Sequence, residues 1–282
     1  MEIKSFAKVN LYLEITGKRP DGYHELITVM CLIDLHDTLR IEFQTPDTRL
    51  TCNHPDVPTD ASNLVLKAAH AFFQATGRSD PISVSIDKNI PVGAGLGGGS
   101  SNAAAMLTAL NDYYQQPLGR EALMRLAGGI GADVPFFIYG RPAVATGIGE
   151  RLTAFDHLPE MPILLIYPGK PVSTAEVYQR LNFGLTKSKK INTQITFRHI
   201  RKKVIPALLH NDLERPAFAI NPEIAHSKTV LLAQGAAGAL MSGSGSSVFG
   251  IYANPEDAHN AYAEIRPRYT HWEIFLTNLR VG

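Results

Sequence analysis

Between Pro91 and Ser101 the chain reads PVGAGLGGGSS, five glycines in seven positions (Gly93, Gly95, Gly97, Gly98, Gly99), followed by an alanine-rich run from Asn102 to Leu110. Glycine at that density costs conformational entropy, so the backbone must turn sharply or approach a partner closely. A glycine loop opening a helix presents unpaired N–H groups and the positive end of the helix dipole, which suits a phosphate. A flexible linker is the alternative, but strong helix formers do not usually follow a linker at once. Three familiar nucleotide loops fit poorly. Residues 93–98 match G-x-G-x-x-G, yet Asp112, at roughly the right distance for a dinucleotide fold, falls in or at the end of the helix rather than after a second strand. The protein-kinase version wants valine where Ser100 stands, and HRD and DFG are missing. A Walker A loop ends in Gly-Lys-Ser/Thr, whereas Gly99 runs directly into Ser100.

Other residues near this loop carry two readings each. Asp133, in Gly131-Ala132-Asp133-Val134-Pro135, could be a general base or, because Pro135 suits a first helical turn, a helix cap. A carboxylate is too weak to ionise an alcohol in advance. As a base it would orient the hydroxyl and accept the proton as the new bond forms. Ser100 and Ser101 could touch a metal that accompanies a nucleotide, or cap the helix that begins there. Lys88, just before the loop, is expected to be an exposed lysine rather than a nucleotide contact. The histidines, among them His36, His54, His70 and His210, show no metal-ligand spacing and read as structural or surface residues.

The elements that must hold these groups alternate through the first half. Phe6–Thr16 alternates apolar and polar residues, a half-buried strand with Lys8 opposite Val9, Leu11 and Leu13. On alternation alone Lys8 would be exposed, and Asn10 shares its face. Pro20-Asp21-Gly22 breaks the chain before Tyr23 and His24. Leu26–Leu35 and Thr38–Phe43 read as two strands, Ser62–Gly77 as a helix closed by glycine, and Ile82–Ile86 as a strand. Glu121–Ala127 is helical and Ala143–Ala145 a strand. After about Arg151 the pattern restarts. Ile163–Tyr167 is a buried strand, Ser173–Leu181 a helix and Lys187–Thr196 a polar loop. Ile200–Leu209, Pro222–Gln234 and Pro255–Ile265 are helical, and Gly238–Ser242, Val248–Tyr252 and Trp272–Leu276 are strands. Helices and strands without a regular βαβ repeat give an α+β chain in two lobes, 1–152 and 153–282, with the cleft between them as the expected site.

Composition narrows the partners. With 27 basic and 26 acidic side chains the formal charge is +1, so no global field favours nucleic acid or an anionic membrane. The clusters Lys187–Lys190 and Arg201–Lys203 are short enough to be solvated faces. Two cysteines, Cys31 and Cys52, form no disulfide framework and suit a reducing compartment. The N-terminus has no apolar leader and no apolar run approaches 18 residues, so a cytoplasmic protein is expected.

Three segments together carry a resemblance: Ala7-Lys8-Val9-Asn10 on an early strand, PVGAGLGGGSSNAAA, and the late loop GSGSS at Gly243–Ser247. The chain resembles the GHMP kinases from about residue 4 to 279, least distinctively over Lys187–Lys202. RPDGYHEL, GADVPFF, NDLE (Asn211–Glu214) and SGSGSSVFG are similar to the branch that phosphorylates a cytidine-diphosphate-linked methylerythritol. The resemblance implies the two-lobed GHMP kinase fold, with ATP and substrate meeting in the cleft between the lobes. The activity it implies is transfer from ATP to the 2-hydroxyl, in the non-mevalonate route to isoprenoid precursors. It implies Lys8 and Asp133 as the catalytic pair, Asp133 taking the hydroxyl proton and Lys8 stabilising the carboxylate and the developing charge. Pro91, Val92, Gly93, Ala94, Gly95, Leu96, Gly97, Gly98, Gly99, Ser100 and Ser101 would bind ATP. Asn10, Tyr23, His24, Thr174 and Tyr178 would bind the second substrate, Tyr23 and Tyr178 sandwiching the cytosine and His24 reading its edge. Tyr178 departs mildly from the phenylalanine frequent in that branch.

Small molecules are thus the expected partners, ATP with Mg2+ and the cytidine substrate, with no tightly bound organic cofactor. No resident metal site is expected, and neither nucleic acid nor membrane is a partner. The expected state is a monomer or weak homodimer. Two other readings remain at this point. A mevalonate-type GHMP kinase or the related decarboxylase would share the middle motif but lack RPDGYH. A silent nucleotide-binding regulator would have no need to keep both Lys8 and Asp133.

Overall fold

Residues 1–156, 158–181 and 205–281 are described by the computed structural model. In chain order the first elements are β1 (Glu2–Lys18), β2 (His24–Phe43), β3 (Arg49–Cys52), α1 (Leu64–Thr76), β4 (Ile82–Asp87), α2 (Gly98–Tyr113), α3 (Arg120–Ile130), α4 (Val134–Tyr139) and β5 (Ala143–Gly147). They are followed by β6 (Arg151–Ala154), β7 (Pro162–Tyr167), α5 (Thr174–Gln179), α6 (Ile205–Leu208), β8 (His210–Asn211), α7 (Glu214–Ile220), α8 (Pro222–Ala233), β9 (Gly238–Met241), β10 (Val248–Ile251), α9 (Pro255–Ile265) and β11 (Glu273–Arg280). The chain forms two compact units that are not consecutive in sequence. The first comprises Met1–Ala7, Leu35–Val92 and Gly97–Gly140; the second comprises Lys8–Asp34, Gly93–Leu96 and Arg141–Gly282.

In the first unit β3 lies parallel to β4, and β4 pairs antiparallel with the later part of β2, from Thr38 opposite Asp87 to Phe43 opposite Ile82. Leu39, Ile41, Val84 and Ile86 of these strands share a core with α1 and α2. Helix α1 begins where Asn63 Oδ1 accepts the Val65 N–H at 2.8 Å. It ends at Gly77, in the left-handed region at φ 68°, as the glycine just past the apolar pattern predicts. It buries Val65, Ala68, Ala69 and Phe72. Helix α2 buries the run from Ser101 to Leu107 together with Ala109, Leu110 and Asn111. A helix apolar on nearly every side is one that must be covered on every side.

In the second unit the order β2-β11-β7-β10-β9 is antiparallel at each pairing recorded by register. β7, PILLIY, is buried at all six positions, which accounts for its unbroken apolar sequence. β5 joins β2 and β6 antiparallel, and β8 runs parallel to β1, with Tyr12 opposite His210. Leu164, Ile166, Val177, Leu231, Met241, Val248 and Trp272 belong to the core of this unit.

Three expectations are corrected. The two strands expected over 26–43 are one, β2, because no glycine or proline separates them. Short β3, β6 and β8 and the helix α7 are additions to the expected elements, being too brief to show a period or, in α7, carrying an internal Pro216. The exposed-lysine expectation at position 8 fails: Lys8 to Leu13 are all buried, so β1 is covered on both faces there and alternation carries no information. The clusters Lys187–Lys190 and Arg201–Lys203, the loop Lys187–Thr196 and the start of the Ile200–Leu209 helix lie outside the described residues.

Candidate functional site

In the second unit the site is built around β1. Lys8 is only 4% exposed, and its Nζ donates to Asn10 Oδ1 at 2.6 Å. The two side chains are two residues apart on an extended strand and so emerge on one face. A Cβ placed on Gly243 would lie 3.4 Å from Lys8 Nζ and 3.5 Å from Asn10 Oδ1. The second glycine loop therefore crosses directly over this pair. That loop closes through the Ser242 N–H, which donates to Ser247 O at 2.9 Å. Asn211 anchors it from below, its Nδ2 donating to Met241 O and Gly243 O, each at 2.8 Å.

Gly93–Leu96 of the first glycine loop hang on the same framework. Lys8 N–H donates to Leu96 O at 3.0 Å, and Ser247 N–H to Ala94 O at 3.1 Å. Ser242 Oγ donates to Gly95 O at 2.9 Å. At Gly95, φ is 77° and a Cβ would sit 2.3 Å from Ser242 O and 2.9 Å from Gly245 O. Both obstacles are backbone, so no side chain is compatible with this approach. Gly95 is thus required by two loops closing on each other.

The turn of RPDGYH is held by its own residues: Arg19 N–H donates to Tyr23 O at 2.8 Å, and Asp21 Oδ1 accepts the Tyr23 N–H at 3.2 Å. Tyr23 is 61% exposed. The His24 ring lies 5.0 Å from the Tyr178 ring, tilted by 33°. Burial, and then the nearby Lys18, hold the His24 pKa below its usual value. The neutral ring, able both to donate and accept, is therefore favoured. Thr174 and Tyr178 sit one turn apart on α5 and share a face. Thr174 Oγ1 is 2.7 Å from Ser244 Oγ, a bond that ties α5 to the second glycine loop. The structure thus groups His24 with Tyr178, and Thr174 with the loop.

In the first unit the hub is Asp37, fully buried. Its carboxylate pairs with Lys88 Nζ and accepts Asn89 N–H and Ile90 N–H at 2.8 Å and Asn102 Nδ2 at 2.9 Å. The expectation of an exposed Lys88 is therefore wrong: its side chain is 5% exposed, because a charge this deep needs an opposite charge beside it. The network pins the segment before the glycine loop to α2. Neither serine caps that helix, contrary to expectation, since α2 already starts at Gly98 behind Gly97. Ser101 Oγ donates to Phe6 O at 2.7 Å and accepts from Ser5 Oγ at 2.7 Å.

Asp133 immediately precedes α4 with φ −84° and ψ −15°, and its side chain makes no capping bond. Its backbone carbonyl, not its carboxylate, receives the Phe136 N–H, at 3.2 Å. The capping reading is thereby set aside. Among the described residues no group of three or more His, Cys, Asp or Glu could hold a metal. Thr28, Asp37, Asn102, Asn211, Ser242 and Ser244 are site residues that the sequence does not single out. Asn102, Asn211 and the two serines stand inside motifs already recognised, whereas Thr28 and Asp37 carry no local signal.

The GHMP kinases N terminal domain matches residues 63–141, and the GHMP kinases C terminal domain matches residues 201–271. A 4-diphosphocytidyl-2-C-methyl-D-erythritol kinase from Geobacter sp. (strain M21) is 46% identical over 266 residues, 94% of each chain. A crystal structure of 4-(cytidine 5'-diphospho)-2C-methyl-D-erythritol kinase superposes with a TM-score of 0.83 at 35% identity, covering 100% of both chains. A mevalonate kinase superposes at 0.74 with 16% identity, which speaks to the fold alone. No helix among the described residues is long and apolar enough to cross a membrane.

Proposed function

The chain belongs to the 4-diphosphocytidyl-2-C-methyl-D-erythritol kinases, a branch of the GHMP kinases, and we infer that it carries out their reaction. The γ-phosphoryl group of ATP passes to the 2-hydroxyl of 4-diphosphocytidyl-2-C-methyl-D-erythritol, giving the 2-phosphate and ADP in the non-mevalonate route to isoprenoid precursors. The observation that carries this reading is the identity of 46% spread over 94% of both chains. The domain matches fall on either side of residues 152 and 153, in support of lobes 1–152 and 153–282.

The residue roles are those that the family resemblance implies, and the chemistry of the reaction supports them. Phosphoryl transfer passes through a loose transition state, so positioning and charge stabilisation dominate. The loop from Pro91 to Ser101 is assigned to the ATP phosphates, which its backbone N–H groups would receive. Asp133 accepts the hydroxyl proton as the oxygen bonds to phosphorus and the bond to ADP breaks. Supporting this is a carboxylate that caps no helix. Lys8 stabilises the charge gathering on the transferred group, supported by a buried ammonium held by Asn10. Tyr23 and Tyr178 are assigned to the faces of the cytosine, His24 to its edge, and Thr174 to a polar contact beside it. Asn10 is assigned to the substrate as well as to Lys8.

Magnesium is proposed to accompany ATP. The Ser101 hydroxyl is buried and already bonded to Phe6 and Ser5, which favours Ser100 for any serine contact to the metal. A monomer or weak homodimer in the cytoplasm is proposed with this reading. Supporting a reducing compartment, Cys31 and Cys52 are both free thiols. Coupled ADP release tests the function. Turnover with the cytidine substrate and magnesium, and none with mevalonate, homoserine or galactose, is expected; turnover of mevalonate alone would sink the assignment.

A further inference from the structure

Lys8 is aimed by a hydrogen-bond chain whose direction can be read from its ends. The Tyr12 carbonyl can only accept, and Thr28 Oγ1 donates to it at 2.6 Å. That commits the single hydroxyl proton of Thr28. The same oxygen lies 2.8 Å from the Asn10 amide, and with its proton spent it must accept there. The group facing it is therefore the Asn10 NH2, and the opposite end of the amide, Oδ1, is turned to Lys8. An ammonium has only donors, so Lys8 Nζ, at 2.6 Å, requires that oxygen. Both ends of the chain demand one orientation of one amide. Thr28 is 3% exposed and Asn10 equally buried, so water does not compete for these groups.

We propose that Thr28 is a positioning residue: its hydroxyl fixes the Asn10 amide, and through it the place of the Lys8 ammonium during phosphoryl transfer. The proposal rests on the role assigned to Lys8 above. With valine at position 28 the shape is kept and the acceptor is lost. The Asn10 NH2 is then left buried without its partner, and turning the amide over would present NH2 to the Lys8 cation. Without Thr28 the amide is no longer held in one orientation, and in the turned one Lys8 loses its bond to Asn10 Oδ1. Displacement of a reacting group by about 1 Å costs on the order of 100-fold in rate.

Four measurements test this. Thr28→Val should lower kcat by roughly 10- to 100-fold with KM for ATP unchanged, and Thr28→Ser should restore it. In an Asn10→Ala background, Thr28→Val should cost nothing further. A merely structural defect would lower kcat equally in both backgrounds and overturn the proposal, as would a loss confined to KM. If the valine variant does not fold, Thr28→Cys replaces it, its thiol being a weak donor and acceptor. A crystal structure of the folded variant decides independently of turnover. Lys8 Nζ away from the residue 10 amide is expected, and Nζ still bonded to Asn10 Oδ1 overturns the proposal. An inactive parent enzyme overturns the proposed reaction instead, and the position of Lys8 Nζ in the variant crystal then decides the role of Thr28 by itself.

Discussion

A carboxylate before a helix and a carboxylate beside a reacting hydroxyl look alike in sequence; at Asp133 the geometry removes the capping role, and the second is the one proposed. Its backbone is αR where a capping residue is extended, and its side chain leaves the α4 N–H groups alone. Asp133→Asn should therefore change stability little, while kcat falls by about 10²–10⁴-fold and KM for ATP holds. Steady-state kinetics beside a urea titration checks both halves; near-normal kcat would return Asp133 to a structural role. Lys8 shows the opposite difficulty. Its burial is not legible in the sequence, because the second face of β1 is covered by residues distant along the chain, among them the loop at Gly243. The RPDGYH turn is legible, since its bonds join adjacent residues. The glycine run is legible from its density, although what requires Gly95 is the distant backbone at Ser242 and Gly245.

At the scale of elements, a few buried polar groups tie each loop to its support. Asp37 gathers Lys88, the Asn89 and Ile90 amides and Asn102, so strand β2, the approach to the glycine loop and helix α2 share one carboxylate. Hydrophobic periodicity reveals α1, an alanine-rich run α2 and an unbroken apolar run β7, yet none of these signals says anything about such a hub. An Asp in a strand pattern reads as an interruption, which is why β2 reads as two strands divided at that point. Asp37→Ala strands a buried ammonium and frees two backbone donors. Breaking one side of a buried pair costs about 3–5 kcal/mol, a large share of the roughly 5–15 kcal/mol that holds a domain together. Lys88→Met removes the charge and keeps the stem, and Asp37 retains its three N–H donors. It should cost clearly less. Urea midpoints at constant m value compare the two, and equal losses would show that Asp37 is not the hub.

At the scale of the whole molecule, two compact units share one chain that passes between them several times, so stability is best probed by a change confined to one of them. His210 serves, since it lies in the second unit on β8. Its Nε2 is 2.8 Å from Asp212 Oδ1, and Asp212 Oδ2 in turn accepts the Ile15 N–H at 2.8 Å. The hydrogen bond to Asp212 raises the His210 pKa; partial burial opposes it, and the charges of Asp212, Glu14 and Glu214 add to the rise. A folded pKa above the unfolded value of about 6.5 means that protonation favours the folded state. The stabilisation is complete below that value and disappears as pH rises through the folded pKa. The melting temperature of the parent should thus fall between mildly acidic and mildly alkaline pH by more than that of His210→Gln, which keeps a donor but does not titrate. Calorimetry across that range reads the difference. Where two transitions are resolved, the slope belongs to the second unit alone. Identical pH slopes in parent and variant would show that the pair does not contribute to folding.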